Sequence, residues 1–186
     1  MAGDRYNLFY NPLFKKTGQQ ALDSDSCTLD YRGDGTLGML PVSNASLGGY
    51  AVFNAPVTPG GTYVFSFSVR CASGVYPVTD IRIGHMLTIR TAASMTDTGG
   101  TVNIVELGAP DHEGAYTVRF TVPTGVSFVS IYLRGSQSQN VAFSNPLLEL
   151  ASTYDAAVAA GGGYTRCCST GARAQNSRRS AWGVVA

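Results

Sequence analysis

Tyr63-Val-Phe-Ser-Phe-Ser-Val69 alternates without a break: Tyr63, Phe65, Phe67 and Val69 fall on one side, Val64, Ser66, Ser68 and Arg70 on the other. A period of two belongs to a strand with one buried face, whereas at helical spacing the same rings would scatter around the cylinder. Two further segments repeat the pattern. In residues 115–122, Tyr116, Val118, Phe120 and Val122 face one way and Thr117, Arg119 and Thr121 the other. In residues 127–134, Val129, Ile131 and Leu133 share a face, which turns Phe128, Tyr132 and Arg134 outward.

Shorter strands are expected at residues 6–10, 27–31, 36–42, 50–53, 80–83, 87–90, 102–107 and 141–150. Turn-forming residues punctuate them at 32–35, 56–61, 97–100, 108–114, 123–125 and 135–140. Short strands at this spacing, with no helical pattern before residue 150, predict an all-β antiparallel β-sandwich or barrel. A parallel sheet would need crossover helices for which the chain has no room. Past Leu150 the character changes. Residues 151–160 suit one or two helical turns, and Gly161-Gly-Gly163 would stop them. Residues 164–186 are rich in Arg, Ser, Gly and Ala with little to pack. The expected division is therefore a sandwich over residues 1–150 and a mostly irregular C-terminal arm over 151–186, ordered against a partner or loose.

Only 13% of the 186 residues are charged, about half the usual share, so the polar surface must be built from Ser, Thr, Asn, Gly and Tyr. The net charge of +1 makes no case for nucleic acid. Its distribution is uneven. Residues 1–150 carry nine basic and eleven acidic side chains, a balance of −2, whereas Arg166, Arg173, Arg178 and Arg179 against Asp155 leave the arm at +3. Such an end is either simply solvated or a tether to an acidic surface. Cys27, Cys71, Cys167 and Cys168 match no metal-ligand spacing. A Cys27–Cys71 bridge and isolated thiols both remain open. The first residues lack the apolar run of a signal peptide, and no run is long enough to cross a bilayer, so synthesis in a cytoplasm and no membrane contact are expected.

Asn7-Leu-Phe-Tyr-Asn-Pro-Leu-Phe14 resembles the opening of carbohydrate-binding-module-like jelly rolls. Pro59-Gly-Gly-Thr-Tyr-Val-Phe-Ser-Phe-Ser-Val69, residues 115–123 and Phe143-Ser-Asn-Pro-Leu-Leu-Glu-Leu150 are similar to later strands of that family, in the same order. Ser152-Thr-Tyr-Asp-Ala-Ala-Val158 with Gly161-Gly-Gly-Tyr164 resembles the continuation found in bacteriophage virion proteins. The resemblance implies a jelly-roll sandwich in a tail or capsid-surface protein, made in the host cytoplasm, with other virion proteins or further copies of itself as partners. Secreted members often bind calcium through acidic residues. Here Leu13-Phe14-Lys15 follows the Asn-Pro and Asn145 stands where an Asp might, so no calcium or other cofactor is expected.

Catalysis finds little to work with. His85 and His112 are the only histidines, and the neighbouring Asp111, His112 and Glu113 are expected to diverge in a turn. Binding has more. Phe128, Tyr132 and Arg134, with Arg70 and Arg119 on other strands, offer either a glycan platform or an interface covered by a loop or a neighbouring subunit. In the arm, Tyr154, Tyr164 and Trp182 beside Arg178 and Arg179 are the residue types that anchor interfaces. The expected function is non-enzymatic virion assembly; the alternative is recognition of a cell-surface glycan.

Overall fold

The computed structural model describes residues 5–18, 20–43 and 48–161. Two five-stranded antiparallel sheets stack face to face. The first holds β1 (Asp23–Asp25), β4 (Tyr50–Pro56), β9 (Phe128–Arg134), β6 (His85–Ala92) and β7 (Asn103–Gly108), in the order β1-β4-β9-β6-β7. The second holds β2 (Cys27–Tyr31), β3 (Thr36–Pro41), β10 (Val141–Leu150), β5 (Thr62–Cys71) and β8 (Gly114–Thr121), in the order β2-β3-β10-β5-β8. This is the all-β sandwich expected. The alternation of residues 63–69 delivers Tyr63, Phe65, Phe67 and Val69 to the interior, where they meet Ala51, Phe53, Leu87, Ile89, Ile131 and Leu133 of the facing sheet. Phe9 contacts both Phe53 and Phe65 there, and Phe67 contacts Phe143, at centroid separations of 5.1–6.0 Å.

The segment expected as a strand at residues 6–10 is not one. It runs beside β10, with Leu8 N–H on Leu148 O at 2.7 Å. The ladder between β10 and β5 skips between Ser144 and Leu147, with Asn145 at a left-handed φ of 53°. Asn7 repairs that bulge: its Nδ2 donates to Pro146 O and its Oδ1 accepts from Leu148 N–H. Asn11 closes the next turn, accepting from Lys15 N–H and donating to Lys15 O. Both asparagines of the opening motif thus satisfy backbone groups that the sheet leaves unpaired.

Two other expectations are corrected. Residues 80–83 form a 3-10 turn at Arg82–Gly84 rather than a strand, because Ile83 and Gly84 both take positive φ and end the extension. The outward side of residues 63–70 is not open along its length: Val64 and Ser66 are as buried as the core. The chain past Leu150 forms α1 (Ala151–Ala159), which packs back on β5 and β10 and is tied to β8 by the Arg119–Asp155 ion pair. Gly161, at φ 72°, ends it. On that same side of β10, Glu149 is 1% exposed and ion-paired with the buried Arg5. Cys27 and Cys71 carry free thiols rather than a bridge, and burial pushes the Cys27 thiol up to about 11.

Candidate functional site

The side of the first sheet that faces away from the core is neither apolar nor plainly solvated. Strand register sets its rows. Asp23, Val52, Tyr132, Thr88 and Glu106 lie abreast across all five strands. Asp25, Tyr50 and Arg134 form the row on one side, and Asn54, Ser130 and Arg90 the row on the other. Arg82 and His85 enter from the 3-10 turn and the start of β6, where a bulge between His85 and Leu87 lets His85 stand near Glu106. Carboxylates therefore sit on the edge strands and arginines at the centre.

Tyr132 is the pivot. The Arg90 guanidinium lies 5.6 Å and the Arg134 guanidinium 5.3 Å from its ring centroid, and Tyr50 is 6.1 Å away with Arg82 over it at 4.8 Å. Residues 93–100 fold over the adjoining row. Asp97 shapes this loop by accepting from Ala93 N–H and Gly99 N–H, and those bonds hold its carboxyl below the usual range. The loop then turns carbonyls downward: Asn54 donates to Ser94 O and Asp97 O, Ser130 to Asp97 O, and Tyr132 OH to Thr98 O. Tyr132 is consequently only 7% exposed.

Polar demand on this face exceeds supply. Four buried side-chain polar atoms of the described residues have no partner, and three of them, Asn54 Oδ1, His85 Nδ1 and Arg90 Nε, are here. Arg134 is 6% exposed and donates to Thr88 Oγ1; burial, with help from the nearby Arg82 and Arg90 charges, lowers it to about 10. Burial, together with the bond it donates to Asp23, raises the Tyr50 phenol to about 12. Among the described residues no group of three or more His, Cys, Asp or Glu side chains gathers to hold a metal. The arrangement can hold hydroxyls and charged oxygens.

The residues singled out from the sequence do not form one site. Phe128, Tyr132 and Arg134 share this face, although Phe128 lies at its far end beside Pro56 and Ala92. Arg70 and Arg119 lie on the opposite side of the molecule, on the second sheet. Arg70 lines an open hollow of about 310 Å³ together with Arg32, Gly38, Asn140 and Ala142, and reaches Glu113 at 3.6 Å. Arg119 is occupied by Asp155. Tyr154 is half-buried in α1, while Tyr164, Arg178, Arg179 and Trp182 lie outside the described residues. Asp111 and His112, expected to diverge, do meet: His112 Nδ1 is 2.7 Å from Asp111 Oδ1, and Tyr116 OH joins both because the imidazole stacks on its ring. Sequence reasoning missed Tyr50, Asn54, Arg82, His85 and Arg90. The alternation at residues 50–53 could have turned Tyr50 outward, but nothing local marks the others.

The sequence matches no family model and no curated protein. Among solved structures, the chain is similar to the enzymatically active domain of tailspike protein 4 of bacteriophage CBA120, at 13% identity and a TM-score of 0.50, over 78% of this chain and 21% of that one. It therefore spans about a fifth of that domain. A family 4 carbohydrate-binding module matches at 15% identity, TM-score 0.48, over 76% of this chain and 99% of that one. A family 29 carbohydrate-binding module complexed with cellulohexaose matches at 15% identity, TM-score 0.46, over 78% and 89%. At these identities the likeness is one of fold: the chain is a β-sandwich of the jelly-roll kind.

Proposed function

We propose that this chain is a non-catalytic glycan-binding module, and that it binds on the outward side of β4, β9 and β6. One observation carries the reading: Asn54 Oδ1, His85 Nδ1 and Arg90 Nε are buried on one face without partners. Unmet acceptors and donors on one face suit hydroxyls, which give and take hydrogen bonds, and the Tyr50 ring on the same face supplies apolar surface for a sugar's C–H edge. Binding is favoured over hydrolysis by the carboxyls. A glycosidase needs an acid whose pKa is raised. Every described carboxyl with a resolved shift, Asp25, Asp80, Asp97 and Asp111, is moved down instead.

Display on a phage particle, after synthesis in a host cytoplasm, is the setting we propose for this binding, on the sequence resemblance alone. The test of the binding role is calorimetry and array binding against bacterial surface polysaccharides, with Tyr50→Ala and His85→Ala beside Arg70→Ala and Arg119→Ala. Binding that the first pair weakens about tenfold or more, and that the second pair leaves alone, supports the reading. No binding to any polysaccharide, or binding that follows Arg70, removes it.

A further inference from the structure

The charges on this face are arranged in a way that glycan binding alone does not require. Arg82 has a carboxylate, with Nη1 on Asp25 Oδ2 at 2.8 Å. Arg90 and Arg134 have none among the described residues: Arg134 makes one side-chain hydrogen bond, to the Thr88 hydroxyl, and Arg90 none. A guanidinium carries five N–H donors in a planar fork. Two of them over one phenol ring, one almost wholly buried, leave most of those donors without a partner in the protein, and a buried charge without a counter-charge is costly. The nearest acids relieve it only in part: Glu106 acts on Arg134 through space, but no acid among the described residues bonds either guanidinium. Asp23 accepts from Tyr50, Asp25 takes Arg82, and Glu106 takes Asn103 with His85 3.9 Å away. All three acids stand on the edge strands β1 and β7, whereas Arg90 and Arg134 stand on the central strands β6 and β9.

We infer that the pair Arg90 and Arg134, astride Tyr132, is the seat of a singly charged oxyanion carried on the ligand, which makes the glycan an acidic one. This rests on the reading of the face as a glycan site and adds the ligand's charge to it. A carboxylate and the two non-bridging oxygens of a phosphodiester each offer a charged two-acceptor edge to a guanidinium fork. Two sources therefore share the chemistry: a polymer of uronic acids and a polyol-phosphate polymer. The edge acids Asp23, Asp25 and Glu106 would take the flanking hydroxyls as donors.

The full chain is titrated with polygalacturonate, its fully methyl-esterified form, poly(glycerol phosphate) and cellohexaose, at low and at physiological salt. The inference expects one of the two acidic polymers to bind and the ester and cellohexaose to bind at least about tenfold more weakly; which acidic polymer binds identifies the source. Arg90→Gln, half-exposed and so safe for folding, should cost about ten- to a hundredfold on the acidic polymer. Arg134→Gln should do the same, with its circular dichroism spectrum as the check on folding, and Arg70→Gln should change nothing. Equal binding of neutral and acidic polymers overturns the charge assignment and leaves the glycan reading standing. Acidic binding that Arg90→Gln does not weaken, or that vanishes at physiological salt, also overturns it, because diffuse attraction behaves that way. Failure of every polymer to bind overturns the charge assignment, and the glycan reading then stands or falls on the polysaccharide array.

Discussion

Arg134 and Glu149 show what burial does to a charge in this sandwich. Glu149 meets Arg5 through a paired contact, with Arg5 Nε at 3.0 Å from Oε2, whereas Arg134 has a single hydroxyl. Removing one side of a buried ion pair leaves a charge in a poor solvent, and the loss exceeds what the pair contributed. Glu149→Ala is accordingly expected to destabilise by about 3–5 kcal/mol in urea titration, and Arg5→Met with Glu149→Leu to recover most of that. A double variant no more stable than Glu149→Ala would mean that the pair is specifically required. At the same scale the sequence left a Cys27–Cys71 bridge and isolated thiols both open, and only the structure shows these two as free thiols. Asn7 was not legible as a patch for a bulge, because the bulge lies 139 residues away in β10.

The elements follow their alternation most closely where both sides of the strand have simple surroundings. β8 is the clearest case: burial alternates residue by residue, as Thr117, Arg119 and Thr121 outward predict. β5 and β9 keep the inward set but lose the outward solvation. On β5 the cause is α1 and the Arg5–Glu149 pair; on β9 it is the loop over residues 93–100. That loop hangs on Asp97, which makes it sensitive to acid. A carboxyl held low by bonds that exist only in the folded loop contributes stability above its unfolded value of 3.8, and loses it as pH falls through the lower folded value. The Ala93 and Gly99 amide resonances should therefore titrate together, with a midpoint below 3.8, and amide exchange over 93–100 should quicken there before β5 or β9 responds. Asp97→Asn should bring that exchange on at neutral pH. A midpoint above 3.8 would show that the bonds do not favour the charged form.

At the scale of the molecule, stability resides in the layer of rings between the sheets. Phe65 touches Phe9 and Phe67 and is fully buried, whereas Phe128, equally apolar, is half-buried on the outer face. Phe65→Ala should cost about 3–5 kcal/mol and Phe128→Ala about 1 kcal/mol or less, read as midpoints of chemical unfolding. Equal losses would mean that the outer face is packed as tightly as the core. The same contrast separates fold from function here. Strand periodicity alone told which side of residues 63–69, 115–122 and 127–134 faces the layer between the sheets, because adjacent side chains on a pleated strand must point to opposite sides. It also placed Tyr132 and Arg134 together, since both lie on one strand with the same parity. It could not decide that Arg70 and Arg119 belong to the other sheet, since parity says nothing about which layer a strand joins. Nor could it bring Arg82 to Tyr50, Arg90 to Tyr132 and His85 to Glu106, or lay residues 93–100 over Asn54 and Ser130. Those meetings depend on strand order, β1-β4-β9-β6-β7, and on hydrogen bonds spanning 33–46 residues of chain. Local pattern fixes the direction of a side chain, and only the completed sandwich fixes its neighbours.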